Sequence, residues 1–302
     1  MKERESIPAF DVPLPWLLKG LTSIPWPAKA WIAERPHVWR VYTGACRRLG
    51  WNASRLGWHT PPNGPLAGVR IRALHPNHLW VPVGVYETSV ARLVVSLLAE
   101  TAGRPDPVEV WDVGAHRGLF SLLCARNGAD RVLAIEPSAA NIDALRGHLA
   151  ANPALGGRIE ILHAAIADRD GDIEFIVNDS DGAVCQIRAT GVEPYDHGSS
   201  ASSNRVPSWT LDSVLARRSS PPVLVKIDVE GAEALVLGGA TRLLAEHRPT
   251  VLMEVHNASA GRASIELLTR AGYCSSHVGV NGRLAPVPAD LAYGHVLARA
   301  EQ

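Results

Sequence analysis

The sequence predicts an α/β protein with a doubly wound, mostly parallel sheet of seven strands, preceded by an N-terminal helical extension. From about Leu66 onward, short β-rich runs alternate with apolar-periodic helical segments, and single helices separate successive strands. Such alternation is typical of parallel sheets, because each crossover between parallel strands needs a helix-length connection. Before residue 65, tryptophan, proline and arginine replace this pattern. We therefore expect two regions, an extension over residues 1–65 and an α/β domain over residues 66–302.

Periodicity and end signals define the individual elements. Residues 87–103 have one apolar helical face and end at a glycine, and Ser138 is a suitable N-cap for a later helix. Two short strands, GVRIRAL and HLWVPVG, are expected to pair with each other. A polar segment rich in glycine and serine, residues 178–204, is interpreted as an insertion. The main sheet is predicted from VEVWDVG, RVLAIEP, RIEILHAAI, PVLVKIDV, PTVLMEVH, YCSSHVGV and AYGHVLAR.

The extension has an unusual composition that leaves two interpretations open. Segments such as PWLLKGL and WPAKAWIAERPHVWRVY mix aromatic anchors with lysine and arginine. This composition suits short helices that pack as a lid on the main domain, and that interpretation is favoured because amphipathic faces usually meet protein. It also suits an element that contacts a membrane surface. Six of the nine tryptophans lie here, namely Trp16, Trp26, Trp31, Trp39, Trp51 and Trp58.

Charge and cysteine content exclude several classes of protein. Thirty basic and thirty acidic side chains give a formal net charge of zero, which argues against a nucleic-acid partner. The four cysteines contain no C-x-x-C pair, which favours reduced thiols over a disulfide framework or a zinc site. No segment has the composition of a signal peptide or approaches the ~18–20 apolar residues of a membrane span. We expect a cytoplasmic protein, with membrane association through the extension as the open alternative.

The segment VWDVGAHRGLFS, residues 110–121, places a glycine turn between a strand and a helix. The strand ends near Asp112, the chain turns through Gly114, and the helix begins at Gly118. Ligands of open α/β sheets bind outside the carboxyl ends of the strands, and a glycine turn lets a ligand approach the backbone closely. The next strand ends in Glu136, where an acid can accept hydrogen bonds from both ribose hydroxyls. This order predicts a cofactor that contains a nucleoside.

The spacing of the glycines separates two kinds of cofactor. Dinucleotide-binding turns read G-x-G-x-x-G, so that the pyrophosphate can rest on the start of the helix. Here three residues stand between Gly114 and Gly118, and the second glycine of that fingerprint is missing. The turn therefore favours a cofactor without phosphates. A turn that only permits close packing of strand and helix is the alternative interpretation.

Two further strings carry a family resemblance. DVGAHRGLFS resembles the D-x-G-x-x-x-G motif of class I methyltransferases, which use S-adenosylmethionine on a Rossmann-like sheet, and AIEPS resembles their acidic second motif. Residues 225–256, VKIDVEGAEALVLGGATRLLAEHRPTVLMEVH, are similar to the signature of FkbM-type methyltransferases, as are LDSVL at 211–215 and GVYETSV at 84–90. The resemblance covers roughly residues 66–299. His116 and Arg117 depart from it, since a small polar residue is more usual there.

The resemblance implies which residues bind the cofactor. Gly114, Ala115 and Gly118 would face its methionine part, and Asp112 would orient that part or bind its ammonium group.

The remaining implied contacts lie outside this turn. Glu136 would bind the ribose hydroxyls, and Ala165, after the third strand of the sheet, would flank the adenine. Tyr86 and Glu87 precede the first helix of the domain, where such enzymes close over the cofactor. A half-buried core position is the alternative interpretation for Tyr86.

The segment KIDVEGAE supplies the predicted catalytic residues. Asp228 ends the fourth strand of the sheet, where a carboxylate can accept a proton from an acceptor hydroxyl or orient that hydroxyl. Together with Glu230, His256, Glu233 and Glu254 it forms an acidic cluster with three open roles. These roles are general base, ligand of a divalent cation, and structural hydrogen bonding to the turn after Glu230. We assign catalysis to Asp228, Glu230 and His256, with Asp228 as the first candidate base, and assign no metal ligand.

These observations predict an S-adenosylmethionine-dependent O-methyltransferase. By resemblance, its acceptor is a hydroxyl of a sugar, a glycolipid or a polyketide-like metabolite. An NAD(P)-dependent oxidoreductase is the alternative among enzymes, disfavoured by the missing glycine and by the lack of a Tyr-x-x-x-Lys pair. A non-catalytic binding module of the same fold is a third reading. Acceptor choice is expected to depend on residues 178–204 and on the extension.

Overall fold

The structure is a computed structural model that describes residues 23–35, 57–72, 84–178, 185–189 and 201–301, with a few single positions between these ranges. The chain divides into two compact units, Met1–Thr88 and Ser89–Gln302. The predicted extension of residues 1–65 lies within the first unit. None of the helices in the described ranges is long and apolar enough to cross a membrane.

The first unit contains one helix and a small sheet in its described residues. These are α1 (Trp26–Ala33), β1 (Trp58–His59) and β2 (Ile71–Arg72), and the two strands pair antiparallel. The predicted partner of β2 was HLWVPVG, most of which lies outside the described residues, as does PWLLKGL. The indole nitrogen of Trp26 donates a hydrogen bond to the carbonyl oxygen of Gly84 at 2.9 Å. This tryptophan is therefore anchored within its own unit.

The second unit contains two sheets and the helices that connect their strands. The strands of its main sheet are β3 (Glu109–Val113), β4 (Arg131–Ile135), β5 (Ile159–Leu162), β10 (Leu224–Ile227), β11 (Thr250–Val255), β12 (Tyr273–Val278), β13 (Leu284–Ala285) and β14 (Gly294–Ala300). The α-helices are α2 (Thr88–Ala99), α3 (Leu119–Arg126), α4 (Ala139–Ala151), α5 (Pro153–Gly156), α6 (Leu211–Leu215), α7 (Glu233–Gly238) and α8 (Ala258–Arg270). A π-helical turn covers Leu243–His247, and a 3₁₀ turn covers Val280–Gly282.

The main sheet has the order β13-β12-β14-β11-β10-β3-β4-β5. The five strands from β11 to β5 are parallel, and β14 runs antiparallel between β11 and β12. The predicted doubly wound, mostly parallel sheet is confirmed. The described residues add one two-residue strand, β13, to the predicted seven. Strands β3 and β10 are buried along their whole length, as expected for central strands covered on both faces.

A second sheet forms around the predicted insertion. Its strands are β6 (Ala165–Ile166), β7 (Gly171–Asn178), β8 (Cys185–Arg188) and β9 (Ala201–Trp209), in the order β6-β9-β7-β8. The predicted single strand RIEILHAAI is thus divided between the two sheets, as β5 and β6. Buried Phe175, Ile187 and Val206 of the second sheet pack in one apolar cluster with Ala165 and Ala232. The second sheet therefore lies beside the residues that follow β10.

The glycine turn after β3 is fixed by its backbone. The amide groups of Gly114 and Ala115 both donate to the carbonyl oxygen of Ile135, each at 3.0 Å. Gly114 has a φ of 79°, and a Cβ placed on it would lie 1.8 Å from the carbonyl oxygen of Asp228. Gly118, which precedes α3, has a φ of 78°. Only glycine satisfies both the left-handed conformation and the close approach at position 114.

We expect Gly114→Ala to lower the free energy of unfolding by about 3 kcal/mol or more. The left-handed conformation alone costs a side chain roughly 1–2 kcal/mol, and the clash with a backbone oxygen adds to that cost. Gly103→Ala is the matched control, because Gly103 has a φ of 83° and no heavy atom within 4 Å of the added Cβ. Chemical denaturation measures both losses. Equal losses in the two variants would show that the approach to Asp228 does not constrain position 114.

Candidate active site

Parallel strands bring the predicted site residues to one edge of the main sheet. Strands β4, β3, β10 and β11 are consecutive neighbours, so their carboxyl ends lie side by side. The residues that follow these strands are Glu136, Gly114, Asp228 and His256, respectively. The amide group of Asp228 donates to the carbonyl oxygen of Val113 at 3.0 Å, which continues the pairing of β10 with β3 beyond the sheet.

Glu136 is buried and tied to the glycine turn. Its Oε2 accepts a hydrogen bond from the backbone amide of His116 at 2.7 Å, and its Oε1 accepts from the amide of Ser138 and the side chain of Asn141. Burial raises the pKa of Glu136, although these three donors oppose the shift. A carboxylate offers about four acceptor positions, so Oε2 keeps capacity for a further hydroxyl. Glu136, the residue predicted to bind the ribose hydroxyls, is thus held rigidly beside the turn.

A buried lysine connects the two predicted acids of the neighbouring strands. Lys226 extends its ammonium group to 2.9 Å from Oδ2 of Asp228 and 3.7 Å from Oδ1 of Asp112. Asp112 also accepts a hydrogen bond from the hydroxyl of Ser121 at 2.6 Å. Burial raises the pKa of Asp112, and the nearby ammonium group opposes that shift. The positive charge of Lys226 therefore offsets the negative charges of Asp112 and Asp228.

His256 lies at the centre of several carboxylates. Its Nδ1 is 2.8 Å from Oε1 of Glu233, and its Nε2 is 3.4 Å from Asp228 and 3.5 Å from Glu230. Burial alone would lower the pKa of His256, but the hydrogen bond to Glu233 and the surrounding negative charges raise it to about 9. The imidazole is thus protonated near neutral pH. These four residues, together with Glu254, are called the His256 cluster below.

Glu233 links the His256 cluster to the turn after β10. Its side chain is fully buried, and Oε1 accepts a hydrogen bond from the amide of Gly231 at 2.9 Å in addition to its contact with His256. Glu233 begins α7, where a negative charge also interacts favourably with the helix dipole. One carboxylate therefore supports both the turn and the imidazolium.

Glu230 sits in a strained turn held by the second sheet. It has a φ of 53°, a conformation that costs a non-glycine residue energy and is common at functional sites. The amide side chain of Gln186, buried in β8, donates to the carbonyl oxygen of Glu230 at 2.9 Å. Burial raises the pKa of the Glu230 carboxyl to about 7, with the charge of His256 opposing the shift. Its side chain remains 26% exposed, so a ligand can reach it.

Glu254, the remaining acid of the cluster, pairs with β14. Its Oε2 is 3.3 Å from Nε2 of His295, and Tyr293 also donates to it. Burial would raise the pKa of Glu254, but these two partners prevail and lower it to about 2. Ligand atoms of Glu254, Asp228 and His256 lie within 4.8 Å of one another, a spacing compatible with a divalent cation.

The structure brings most of the predicted residues together. The glycine turn carries Asp112, Gly114, Ala115 and Gly118 in the expected order, and Glu136 contacts the same turn through the amide of residue 116.

The predicted catalytic residues Asp228, Glu230 and His256 meet in one cluster. Ala165 is buried in β6, within the apolar cluster of the second sheet. Tyr86 and Glu87 belong to the first unit and stand directly before α2.

Sequence reasoning missed three residues of the site. Lys226 was detectable, because it lies two positions before Asp228 on a strand and so shares its face of the sheet. Gln186 had no local signal, since its partner Glu230 is 44 residues away. Tyr293 also had none, because its position depends on where the antiparallel β14 begins.

Comparisons with known proteins agree with this geometry. Residues 112–274, more than half of the chain, match the methyltransferase FkbM domain. The hexuronic acid methyltransferase AglP of Haloferax volcanii is 28% identical over 179 residues, which are 59% of this chain and 67% of that protein.

Solved structures with similar folds include two methyltransferases. The FkbM methyltransferase of Methylobacillus flagellatus is 18% identical, with a TM-score of 0.44 over 68% of this chain and 47% of that one. The O-methyltransferase of Bacillus cereus in complex with SAH is 12% identical, with a TM-score of 0.43 over 73% of this chain and 84% of that one. This chain thus spans about half the length of the first structure.

An open α/β sheet with a glycine turn and acidic strand ends is the arrangement from which the sequence predicts a cofactor that contains a nucleoside, and residues 112–274 match one family of such enzymes. The chain belongs to the FkbM methyltransferase family. The predicted family, fold class and methyltransferase activity are confirmed, and the oxidoreductase alternative is not favoured.

The charge state of His256 is directly measurable. We expect its imidazole to titrate with a midpoint of about 9 by NMR, and Glu233→Gln to lower that midpoint by at least about one unit. Since the folded state holds this proton more tightly than the unfolded state, the contribution of His256 to stability is complete below about pH 6.5 and is lost as pH rises through about 9. Glu266→Gln, at an exposed position of α8, is the control. A wild-type midpoint near 6.5 would contradict the charge balance described here.

Proposed function

We propose that this methyltransferase transfers a methyl group from S-adenosylmethionine to a hydroxyl of a sugar. The observation that carries the proposal is the contact between the glycine turn and the start of the His256 cluster. A Cβ on Gly114 would lie 1.8 Å from the carbonyl oxygen of Asp228, so the glycine turn and the His256 cluster lie next to each other at the carboxyl ends of the strands. Methyl transfer requires donor and acceptor to be aligned at one place, which this contact favours.

The residues of the glycine turn fit a cofactor of this kind. Gly114 and Gly118 give the turn its left-handed conformation, in which the backbone passes close to Asp228 and to Leu145. Glu136 beside this turn offers an acceptor oxygen for a ribose hydroxyl. Asp112 would orient the amino-acid part, and Ala165 would flank the adenine. When bound, S-adenosylmethionine would supply an electrophilic methyl group, whose bond to the sulfonium sulfur would break with its electron pair left on sulfur, giving S-adenosylhomocysteine.

Tyr86 and Glu87 directly precede α2 in the chain. Their role in closing over the cofactor stays a prediction from the family resemblance.

We assign the proton acceptor to Glu230. The carboxyl of Glu230 has a pKa of about 7, its side chain is partly exposed, and the strained turn fixes its direction. A general base is most effective when its pKa lies near the working pH. In the proposed reaction, the acceptor hydroxyl gives its proton to Glu230 as its oxygen forms the new bond to the methyl carbon.

Asp228 and His256 have supporting roles in this mechanism. One oxygen of Asp228 contacts the ammonium of Lys226 and the other faces the imidazole of His256, so its direction is fixed and it suits orienting the hydroxyl. A protonated His256 cannot accept a proton, but it donates one hydrogen bond to Glu233 and keeps a positive charge beside Glu230.

We propose that the reaction is independent of a metal ion. Glu254, Asp228 and His256 have a spacing that a divalent cation could use, but a metal-bound imidazole must be neutral. The protonated His256 and the ammonium of Lys226 already balance the carboxylates. A cation would have to displace a proton that is held with a pKa of about 9.

The acceptor class is supported by the relative and by the polar character of the site. AglP is named for a hexuronic acid, and a sugar is one of the acceptor classes that the family resemblance implied. The oxygen-rich His256 cluster suits a ligand with several hydroxyls. We further propose that residues 178–204 and the extension over residues 1–65 select the acceptor, including any lipid that it carries.

The catalytic assignment predicts distinct pH profiles for two variants. With labelled cofactor and an extract that contains the acceptor, wild-type kcat should rise with pH through about 7, as Glu230 loses its proton. Glu230→Gln should lower kcat by about 10²–10⁴ and abolish its rise with pH, since the base is absent. Asp228→Asn should lower kcat less, and its kcat should still rise with pH, because this change affects only the orientation of the acceptor hydroxyl.

Controls separate this outcome from general damage. Cofactor affinity should change little in either variant, Glu266→Gln should behave as the wild type, and EDTA should leave turnover unchanged. If kcat of Glu230→Gln still rises with pH through about 7, Glu230 is not the base, and Asp228 becomes the first candidate. Loss of turnover in EDTA, restored by Mg²⁺ or Mn²⁺, would overturn the metal-independent mechanism.

A further inference from the structure

An exposed aromatic side chain stands beside the His256 cluster. Tyr293 directly precedes β14, which runs antiparallel to β11 with Gly294 opposite Val255. Strand β14 therefore begins at the sheet edge where β11 ends, and this register brings Tyr293 next to His256. The two rings have centroids 6.0 Å apart.

Tyr293 contacts the His256 cluster although it faces solvent. Its hydroxyl interacts with the carboxylate of Glu254, and its ring meets the imidazole of His256 at an angle of 77°. Nevertheless the residue is 67% exposed. Within the described residues of the second unit, it is the one large aromatic side chain with such exposure. An exposed aromatic ring beside the proposed catalytic groups is a surface that a ligand can contact.

The neighbours of Tyr293 restrict the chemistry of that ligand. An aromatic face attracts polarised C–H groups, because its π-electrons carry negative charge density. The polar groups beside it, on Glu230, Glu254 and His256, form hydrogen bonds with hydroxyls. A purely apolar ligand would cover the partly exposed carboxyl of Glu230 and offer it no hydrogen bond, at a cost in binding. A pyranose ring satisfies both requirements, with C–H groups on its face and hydroxyls around its rim.

We propose that Tyr293 is the stacking surface for a pyranose acceptor, placed so that a ring hydroxyl reaches Glu230. This inference rests on the proposed function, because it names the acceptor subsite of the same active site. Tyr293 is a specificity-determining residue in this account. Its ring face, and not its hydroxyl, binds the acceptor.

The experiment is saturation-transfer NMR on the full chain with S-adenosylhomocysteine present. The probes are methyl β-D-glucopyranoside and methyl β-D-glucopyranosiduronate, which distinguish a neutral from an acidic sugar, and the acyclic polyol sorbitol is the control. The variants are Tyr293→Ala, Tyr293→Leu and Tyr293→Phe. Tyr293→Phe is the matched control, because it keeps the ring and loses the hydrogen bond to Glu254.

We expect ring C–H protons of at least one pyranoside to receive saturation from the wild type and from Tyr293→Phe. The signal should fall at least fivefold in Tyr293→Ala and Tyr293→Leu, and sorbitol should give none above background. Equal signals in Tyr293→Ala and the wild type, an equal signal from sorbitol, or no signal from either pyranoside would overturn the proposal.

Calorimetric titration with S-adenosylhomocysteine in the same samples separates this inference from the proposed function. Wild-type protein that does not bind S-adenosylhomocysteine would contradict the proposed function itself. If all variants bind it within about twofold of the wild type, each is folded, and the pyranoside signals then test Tyr293 alone.

Discussion

The close approach of the Gly114 turn to the carbonyl oxygen of Asp228 sets the geometry on which the remaining site depends. Strands β3 and β10 pair in parallel register, so the turns that follow them leave the sheet side by side. A left-handed glycine lets these turns touch. The turn after β3 is in turn tied to Glu136 through the amide of His116. One backbone contact thus fixes the distance between the proposed ribose ligand and the proposed catalytic acids.

Compensation of buried charge is the second constraint on the site. Several carboxylates meet at one sheet edge, and an unpaired buried carboxylate is costly. Lys226 balances Asp112 and Asp228, and a protonated His256 balances Glu230 and Glu233. Their arrangement leaves Glu230 as the acid whose pKa rises to about 7. The packing that stabilises the cluster therefore also makes its carboxyl groups different. Glu230 is suited to accept a proton, and Asp228 is suited to orient the acceptor hydroxyl.

Features that depend on local sequence could be predicted, and features that depend on distant pairing could not. The glycine turn and Glu136 follow from one strand, one turn and one strand end, and the sequence predicts both as parts of one cofactor site. The second sheet was not predicted, and residues 178–204 were interpreted only as a polar insertion, because β9 combines polar residues with one proline and shows no clear alternation. Gln186 could therefore not be predicted, since its role depends on how β8 packs against the turn at Glu230. The protonation of His256, which follows β11, also required the positions of carboxylates that follow a different strand, β10.

The central claim is that the glycine turn and Glu136 bind S-adenosylmethionine. Calorimetric titration with S-adenosylhomocysteine and with NAD tests it most directly, using wild-type protein and Glu136→Ala. We expect S-adenosylhomocysteine to bind one site, NAD to give no binding, and Glu136→Ala to weaken binding by roughly 1.5–3 kcal/mol, the scale of hydrogen bonds to a charged group. Binding of NAD without binding of S-adenosylhomocysteine, or an unchanged affinity in folded Glu136→Ala, would contradict the account.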